Sequence, residues 1–114
     1  MNIWCQDSGD RTGGLVYINF QWTCQAQLRS LSFDVLFDSG KISLNENIDN
    51  KYFKTTKLLN SVINVQIKDF TYNTISIPFT KVGSGAVSIS IDEVNFYSYS
   101  RVILEKVNGD IINV

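Results

Sequence analysis

The sequence predicts an all-β fold, a two-sheet antiparallel sandwich or jelly roll of about eight strands with a C-terminal hairpin. From Val16 to Leu28 every second residue is apolar and the residues between them are polar, which is the pattern of a strand with one dry and one wet face. Alanine, the best helix former, occurs only twice, whereas β-branched and aromatic residues are abundant. At 114 residues, without a linker or an internal repeat, residues 1–114 are expected to form a single β-sandwich domain.

The first elements follow from this alternation. Residues 5–14 are polar and rich in glycine, so they are predicted to form the loop before the first strand. The strand from Val16 to Leu28 is either one long strand or a bent pair. Beyond it the apolar residues move to odd positions from Leu31, so a bulge or a corner is expected near Ser30.

In the middle of the chain, residues 38–41 have the composition of a turn, and Ile42 and Leu44 begin a short strand. Residues 45–51 form the most polar loop. Residues 52–68 are ambiguous, because their later half alternates like a strand while their first half also fits a short helical turn.

The C-terminal third contains further alternating segments. Residues 75–79 are predicted to form a strand, and Pro78 suggests that this strand lies at a sheet edge. Apolar alternation from Val87 changes parity across Asp92-Glu93. The dipeptide Asn108-Gly109 between two apolar segments predicts a β-hairpin, because both central residues of a type I′ turn need a positive φ.

Composition and charge narrow the class of function. The net charge of -1 and the pI near 5.2 argue against nucleic-acid binding, which needs a basic face. No apolar segment is long enough to span a membrane. The N-terminal residues lack a basic region followed by an apolar one, so no signal peptide is predicted. We therefore expect the protein to be made in the cytoplasm. If it leaves the cell, assembly into a virus particle is one way in which it could do so.

The sequence contains no histidine, which removes histidine bases and the common catalytic triads. Two carboxylate pairs remain, Asp34 with Asp38 and Asp92 with Glu93. A glycosidase needs two carboxylates that face each other across a cleft. Consecutive residues of a strand point to opposite faces, and aspartate is common in turns, so we expect a protein that is not an enzyme and needs no cofactor.

Cys5 and Cys24 are the only cysteines and allow one disulfide. Free thiols are expected here because no secretion signal is predicted. Without histidine the two cysteines supply half of a zinc site, so no metal site is predicted. Two groups of calcium-type ligands have no recognised spacing and are interpreted as solvated loops: Asp7 and Asp10, and Glu46, Asn47, Asp49 and Asn50.

Candidate binding residues are aromatic, amide and arginine side chains on predicted wet faces. Tyrosine and arginine are enriched in protein interfaces, and amides are tolerated there. Tyr97 and Tyr99 point either outward, beside Arg101, or into the core. Trp22 is predicted to lie in the core, whereas for Trp4 the sequence favours neither burial nor exposure. The candidate residues are Tyr17, Asn19, Gln21, Tyr97, Tyr99 and Arg101, and the wet face of the long strand adds Thr23, Gln25 and Gln27.

Two segments resemble carbohydrate-binding jelly-roll modules. The segment Val87–Phe96 is similar to the closing strand of these modules, which contains the pattern Ile-Asp-x-Val. The segment Val16–Phe20 resembles the strand that follows their N-terminal loop. The resemblance implies a β-sandwich fold and, as a functional expectation, glycan binding.

Three functions are therefore weighed. The preferred hypothesis is a non-catalytic protein-interaction or assembly domain, as in a virus or phage structural protein or a small inhibitor of a host protein. Its partner would be another protein or further copies of the chain. The alternative is a carbohydrate-binding module that uses Tyr17, Tyr97, Tyr99 and Arg101. The third is a glycosidase-like enzyme that uses Asp34 or Asp92.

Overall fold

The computed structural model describes residues 1–114 as two five-stranded sheets packed face to face, which confirms the predicted all-β sandwich. The first sheet has the strand order β4-β7-β2-β1-β9, and the second has the order β10-β8-β3-β6-β5. A 3₁₀ turn, Thr12–Gly14, is the only helical element, and no helix has the length and hydropathy of a membrane span. The strands are β1 (Asn2–Asp7), β2 (Leu15–Thr23), β3 (Leu28–Leu36), β4 (Ile42–Ser43), β5 (Phe53–Leu59), β6 (Val62–Ile67), β7 (Thr74–Lys81), β8 (Ala86–Ser98), β9 (Lys106–Asn108) and β10 (Asp110–Asn113).

The core lies between the two sheets and forms one cluster of 25 buried residues. Rings from opposite sheets meet in it: the centroids of Phe20 on β2 and Phe33 on β3 are 5.7 Å apart. A second aromatic contact joins Phe37 and Phe79, whose rings meet edge to face at 5.2 Å. Trp22 is buried, as predicted. Aromatic contacts of this kind stabilise a core beyond the area that they bury.

The long alternating segment is the predicted bent pair of strands. β2 ends at Thr23, and the chain then crosses to the second sheet, where β3 begins at Leu28. A register shift between Leu28 and Ser30 confirms the predicted irregularity. The placement of Gln25 and Gln27 on the wet strand face is wrong, because the crossing between sheets interrupts the strand before them.

The N-terminal prediction is wrong in part. Residues 5–7 belong to β1, which pairs antiparallel with β2, and the loop is confined to residues 8–14. Only Ile3 and Cys5 of β1 are buried apolar residues inside the strand, so its alternation is too short to be recognised.

The helical alternative for residues 52–68 is also wrong. β5 and β6 form an antiparallel hairpin, and Leu58 and Leu59 are exposed near its tip instead of lining a buried helical stripe.

Pro78 does not lie on the outermost strand, because β4 is next to β7. However, β4 pairs only with Thr80 and Lys81, so the edge of β7 beside Pro78 is uncovered.

The predicted C-terminal hairpin is wrong as well. β9 runs parallel to β1 in the first sheet, whereas β10 pairs with β8 in the second, so Asn108-Gly109 joins the two sheets. Gly109 is not among the residues with a positive φ. A Cβ at this position would lie 2.0 Å from the carbonyl oxygen of Ile89. The glycine is therefore required for a close approach of two backbones and not for a type I′ turn.

The two cysteines are free, as predicted. Cys5 is buried, and burial, together with the nearby carboxylate of Asp110, raises the pKa of its thiol to about 12.

The loop residues considered as calcium ligands make contacts within the protein. The side chain of Asn50, for example, accepts hydrogen bonds from the backbone N–H groups of Tyr52 and Phe53. The chain contains no cluster of three acidic, cysteine or histidine side chains suited to a metal ion.

A clasp formed by Asp7, Arg11 and Asn113 joins the N-terminal loop to the last strand. The Arg11 guanidinium donates to both Asp7 carboxylate oxygens, at 2.8 and 2.7 Å, and to the carbonyl oxygen of Asn113 at 3.0 Å. The hydrogen bond from Arg11 lowers the pKa of the Asp7 carboxyl group below its ordinary value of 3.8. The clasp links β1 of the first sheet to β10 of the second.

We expect the clasp to make stability depend on pH. A carboxyl group whose pKa is lowered by folding adds stability above its ordinary pKa, and this stability is lost as the pH falls through the lowered pKa. Replacement of Arg11 by glutamine should lower the free energy of unfolding at pH 6 by about 1 kcal/mol or less, since the pair is partly exposed. It should also make the decline in stability below about pH 4 shallower.

Urea denaturation from pH 2 to pH 6, over roughly the range in which carboxylates titrate, measures both effects. Arg101→Gln is the matched control, because Arg101 is exposed and forms no ion pair. An acid slope that is as steep in Arg11→Gln as in the wild type would show that the clasp does not stabilise the fold.

Candidate functional site

The outer face of the second sheet, which we call the docking face, combines charged, apolar and aromatic zones. Antiparallel pairing places directly opposed residues on the same face. The inward residues of β3, β6 and β8 fill the core, so the alternate positions point to solvent. The outward positions used below are Ser30, Ser32, Asp34 and Leu36 on β3; Val62, Asn64 and Gln66 on β6; and Ser90, Asp92, Asn95 and Tyr97 on β8.

Two carboxylates lie side by side in the middle of this face. Asp34 on β3 is directly opposite Asp92 on β8, and we call these two residues the acidic pair. Asn64 on β6 donates a 2.9 Å hydrogen bond to Asp34 Oδ1. Neither carboxylate forms an ion pair, since the two ion pairs of the structure involve Asp7 and Asp49. Like charges directly opposite each other across two strands are destabilising.

A β-bulge at Glu93 determines which side chains of β8 share the docking face with Asp92. Glu93 has φ +49°, in the left-handed region that non-glycine residues seldom adopt. The register shifts between Ser32 and Asp34, so that Ser32 is opposite Asn95 and not opposite Val94. The predicted parity change across Asp92-Glu93 is thereby confirmed. It brings Asn95 and Tyr97 to the same side of the strand as Asp92.

The acidic pair lies between two different zones. Toward the β5–β6 turn, Leu36, Val62 and Leu59 occupy neighbouring register positions and form an apolar patch on the solvent side. Toward the other end is a shallow depression of about 500 Å³, whose lining includes the polar residues Ser32, Gln66 and Asn95, the ring of Tyr97 and two cations, Arg29 and Lys68. This sequence of zones gives the docking face a defined direction along its strands.

The structure places the candidate residues predicted from the sequence on opposite sides of the molecule. Tyr17, Asn19 and Gln21 lie on the outer face of the first sheet. Tyr97 is 73% exposed on the docking face, so the outward alternative for this side chain is correct, while Phe96 packs against the core. The predicted residues therefore cannot form one common site.

Tyr99 and Arg101 lie beyond the regular part of the docking face. Tyr99 is 69% exposed, and the Arg29 guanidinium carbon is 5.4 Å from its ring centroid. Arg101 is exposed and follows the end of β8. The cation next to Tyr99 is Arg29, which sequence reasoning did not select, because the contact depends on the pairing of β3 with β8.

Sequence reasoning missed the acidic pair as well. The sequence pairs Asp34 with Asp38 and Asp92 with Glu93, since only neighbours along the chain can be compared without a fold. Asp38 instead stabilises its turn, where its side chain accepts a bond from the backbone N–H of Gly40 at 2.9 Å.

Solved structures with a similar fold are cohesin modules. No protein-family model matches the sequence, and no curated protein matches it. The sixth cohesin of scaffoldin B from Acetivibrio cellulolyticus, solved in complex with a mutant Cel5 dockerin, has a TM-score of 0.64 at 12% identity, with 95% of each chain covered. A seventh type I cohesin from Pseudobacteroides cellulosolvens has a TM-score of 0.64 at 14% identity, covering 98% of this chain and 90% of that one.

A cohesin module of a family 33 glycoside hydrolase from Clostridium perfringens is similar too, with a TM-score of 0.59, 10% identity, and 99% and 93% coverage of the two chains. At such identities the likeness concerns the fold, and it supports the jelly-roll arrangement of the sandwich. The expected resemblance to carbohydrate-binding modules is thus confirmed only at the level of the β-sandwich.

The acidic pair leads to a prediction about stability. Asp92→Asn removes one of two opposed charges while it keeps the size of the side chain. The free energy of unfolding should rise by about 0.2–1 kcal/mol. Urea denaturation at pH 7 in low salt measures this change.

The stabilisation should shrink when salt is added, because ions screen the repulsion between exposed charges. Ser90→Asn, at an uncharged outward position of the same strand, is the control. If Asp92→Asn destabilised the protein, Asp92 would have a favourable native contact and the repulsion argument would be wrong.

Proposed function

We propose that the chain is a non-catalytic module that binds a protein partner through its docking face. The observation that carries this proposal is the acidic pair, half-buried Asp34 and exposed Asp92, which lies between an apolar patch and a tyrosine-containing depression. An apolar zone gives affinity when a partner buries it. Charges that are complementary to those of the partner give orientation and selectivity.

The acidic pair defines the chemistry of the partner. Two adjacent carboxylates without a cation of their own are complementary to a lysine or arginine side chain. Arginine is the better match, because its planar guanidinium can bond both carboxylates at once. The partner should therefore present a basic residue next to an apolar surface that covers Leu36 and Val62.

The similar structures favour a dockerin-type module as this partner. One of the similar cohesins was solved with a dockerin bound, which shows that a sandwich of this shape can serve as a protein-binding module. Because the identity to this chain is only 12%, the partner's sequence cannot be transferred, but the class of partner can be proposed.

The geometry of the carboxylates favours binding over catalysis. In a glycosidase the two carboxyl groups flank the scissile bond, with the sugar between them. Asp34 and Asp92 instead lie next to each other on neighbouring strands of an open sheet face. The absence of histidine leaves no alternative base of the usual kind.

Two other hypotheses have less support. The particle-assembly and host-inhibitor roles are based on sequence features alone and stay predictions. Glycan stacking on Tyr99 is disfavoured because Arg29 lies 5.4 Å from the centre of that ring and covers one of its faces.

Surface plasmon resonance with a panel of dockerins, including the Cel5 dockerin, tests the proposal. We expect saturable binding of at least one dockerin. Asp92→Lys should weaken this binding by about tenfold or more, because it replaces an attraction for the basic partner residue with a repulsion. Tyr97→Ala should weaken it as well.

Tyr17→Ala, on the outer face of the first sheet, is the matched control and should bind like the wild type. The proposal would be overturned if no dockerin bound, or if Asp92→Lys and Tyr97→Ala bound as tightly as the wild type.

A further inference from the structure

We propose that the outer face of the first sheet is a second binding site, and that its ligand is a neutral glycan chain. This site lies on the opposite side of the sandwich from the docking face and does not depend on the proposed protein binding. It extends from a cleft between Tyr52 and Tyr72, which we call the tyrosine cleft, across β7 and β2 to Trp4 on β1.

The tyrosine cleft is formed by two loops at one end of the sandwich. Tyr52 precedes β5 and Tyr72 precedes β7, and their ring centroids are 6.0 Å apart at an angle of 57°. The cleft has a volume of about 370 Å³. Buried Phe53 and Ile75 contribute to its lining, so the two exposed rings are set against a firm apolar base. The Lys51 ammonium lies 5.5 Å from the centre of the Tyr52 ring, so Tyr72 supplies the flat surface that is open to the C–H face of a sugar.

The cleft continues into a row of polar side chains. Thr74, which lines the cleft, is paired with Gln21, and Gln21 is paired with Trp4, so the three residues cross three neighbouring strands on the same face. With strands roughly 4.8 Å apart, Trp4 lies about 10 Å from Thr74. Aromatic rings thus flank a row of hydroxyl and amide groups long enough for a few sugar units.

The indole of Trp4 is held in place. Its Nε1 donates a 2.9 Å hydrogen bond to Gln21 Oε1, and the ring is only partly buried. The bond fixes the orientation of the indole before any ligand arrives, which lowers the entropy cost of binding. Gln21 retains its amide N–H groups, which can donate to a sugar hydroxyl.

The charge of this face selects the class of ligand. The outward positions on its three central strands are uncharged: Asn2, Trp4 and Gln6 on β1; Tyr17, Asn19 and Gln21 on β2; and Thr74, Ser76 and Pro78 on β7. A charged polymer would find no counter-charge among these positions. The cations beside the site lie at its two ends: Lys51 next to Tyr52, and Lys106 opposite Asn2 on β9. Aromatic rings with amides and hydroxyls between them match the alternation of C–H faces and hydroxyl groups on a neutral sugar chain. A protein partner fits the docking face better, because the apolar patch lies there.

Native gel electrophoresis in gels that contain a neutral soluble polysaccharide tests the proposal. The probes are hydroxyethyl cellulose, xyloglucan and galactomannan, with dextran sulfate as the anionic comparison. At least one neutral probe should retard the wild-type protein. Tyr72→Ala, at a ring that is 59% exposed, should weaken this binding by about tenfold through the loss of ring stacking.

Two further measurements localise the site. Trp4→Ala should weaken binding by a similar factor, while Tyr97→Ala on the docking face should leave it unchanged. Trp22 is only 3% exposed, so a change in tryptophan fluorescence on addition of the polysaccharide should come from Trp4 and disappear in Trp4→Ala.

The proposal would be overturned if no neutral polysaccharide retarded the protein, or if dextran sulfate alone did so. It would equally be overturned if Tyr72→Ala and Trp4→Ala bound like the wild type, or if a protein partner and no glycan occupied this face. Each of these results leaves the dockerin experiment unaffected, because the variants expected to weaken dockerin binding, Asp92→Lys and Tyr97→Ala, lie on the opposite sheet.

Discussion

The bulge at Glu93 is the constraint on which the functional surface depends. β8 spans 13 residues and pairs with β3 over most of its length. Without the extra residue, Asn95 and Tyr97 would point into the core, and Val94 and Phe96 would point to solvent. The left-handed backbone at Glu93 carries a cost in strain. That cost is compatible with the fold because it keeps both apolar segments of β8 against the same core.

Because each strand turns one side to the core and the other to solvent, a small sandwich can present two different outer faces. The core is supplied almost entirely by one side of each strand, so the other side is free to vary. On the second sheet it carries the acidic pair and the apolar patch. On the first sheet it carries amides, hydroxyls and the Trp4 ring, without charge on the three central strands. The two proposed sites therefore differ in the chemistry of their ligands, because the two outer faces differ in charge and in apolar surface.

The sequence allowed the strands with long alternation to be predicted, along with both parity changes, because side-chain period depends only on neighbours along the chain. It did not reveal β1, whose alternation is short, or the crossing at Asn108-Gly109. That dipeptide normally favours a hairpin, but here the strands after and before it belong to different sheets. Tertiary pairing overrides the local turn preference.

The functional surface was predictable to a smaller extent. Tyr97 could be selected because tyrosine is common in interfaces and because the alternation of its segment allows an outward side chain. The pairing of Asp34 with Asp92 could not, because the two residues are far apart in sequence and become neighbours only through the register of β3 and β8. The link from Thr74 through Gln21 to Trp4 depends in the same way on three paired strands.

Nuclear Overhauser contacts between the backbone protons of β3 and β8 show directly whether the bulge at Glu93 sets the register of these two strands. We expect cross-strand contacts between Asp34 and Asp92 and between Ser32 and Asn95, with two residues of β8, Glu93 and Val94, between these pairs and only Phe33 of β3. Contacts between Ser32 and Val94 would show an uninterrupted register. Such contacts would rule out the bulge, because Asn95 and Tyr97 would then leave the face that holds the acidic pair.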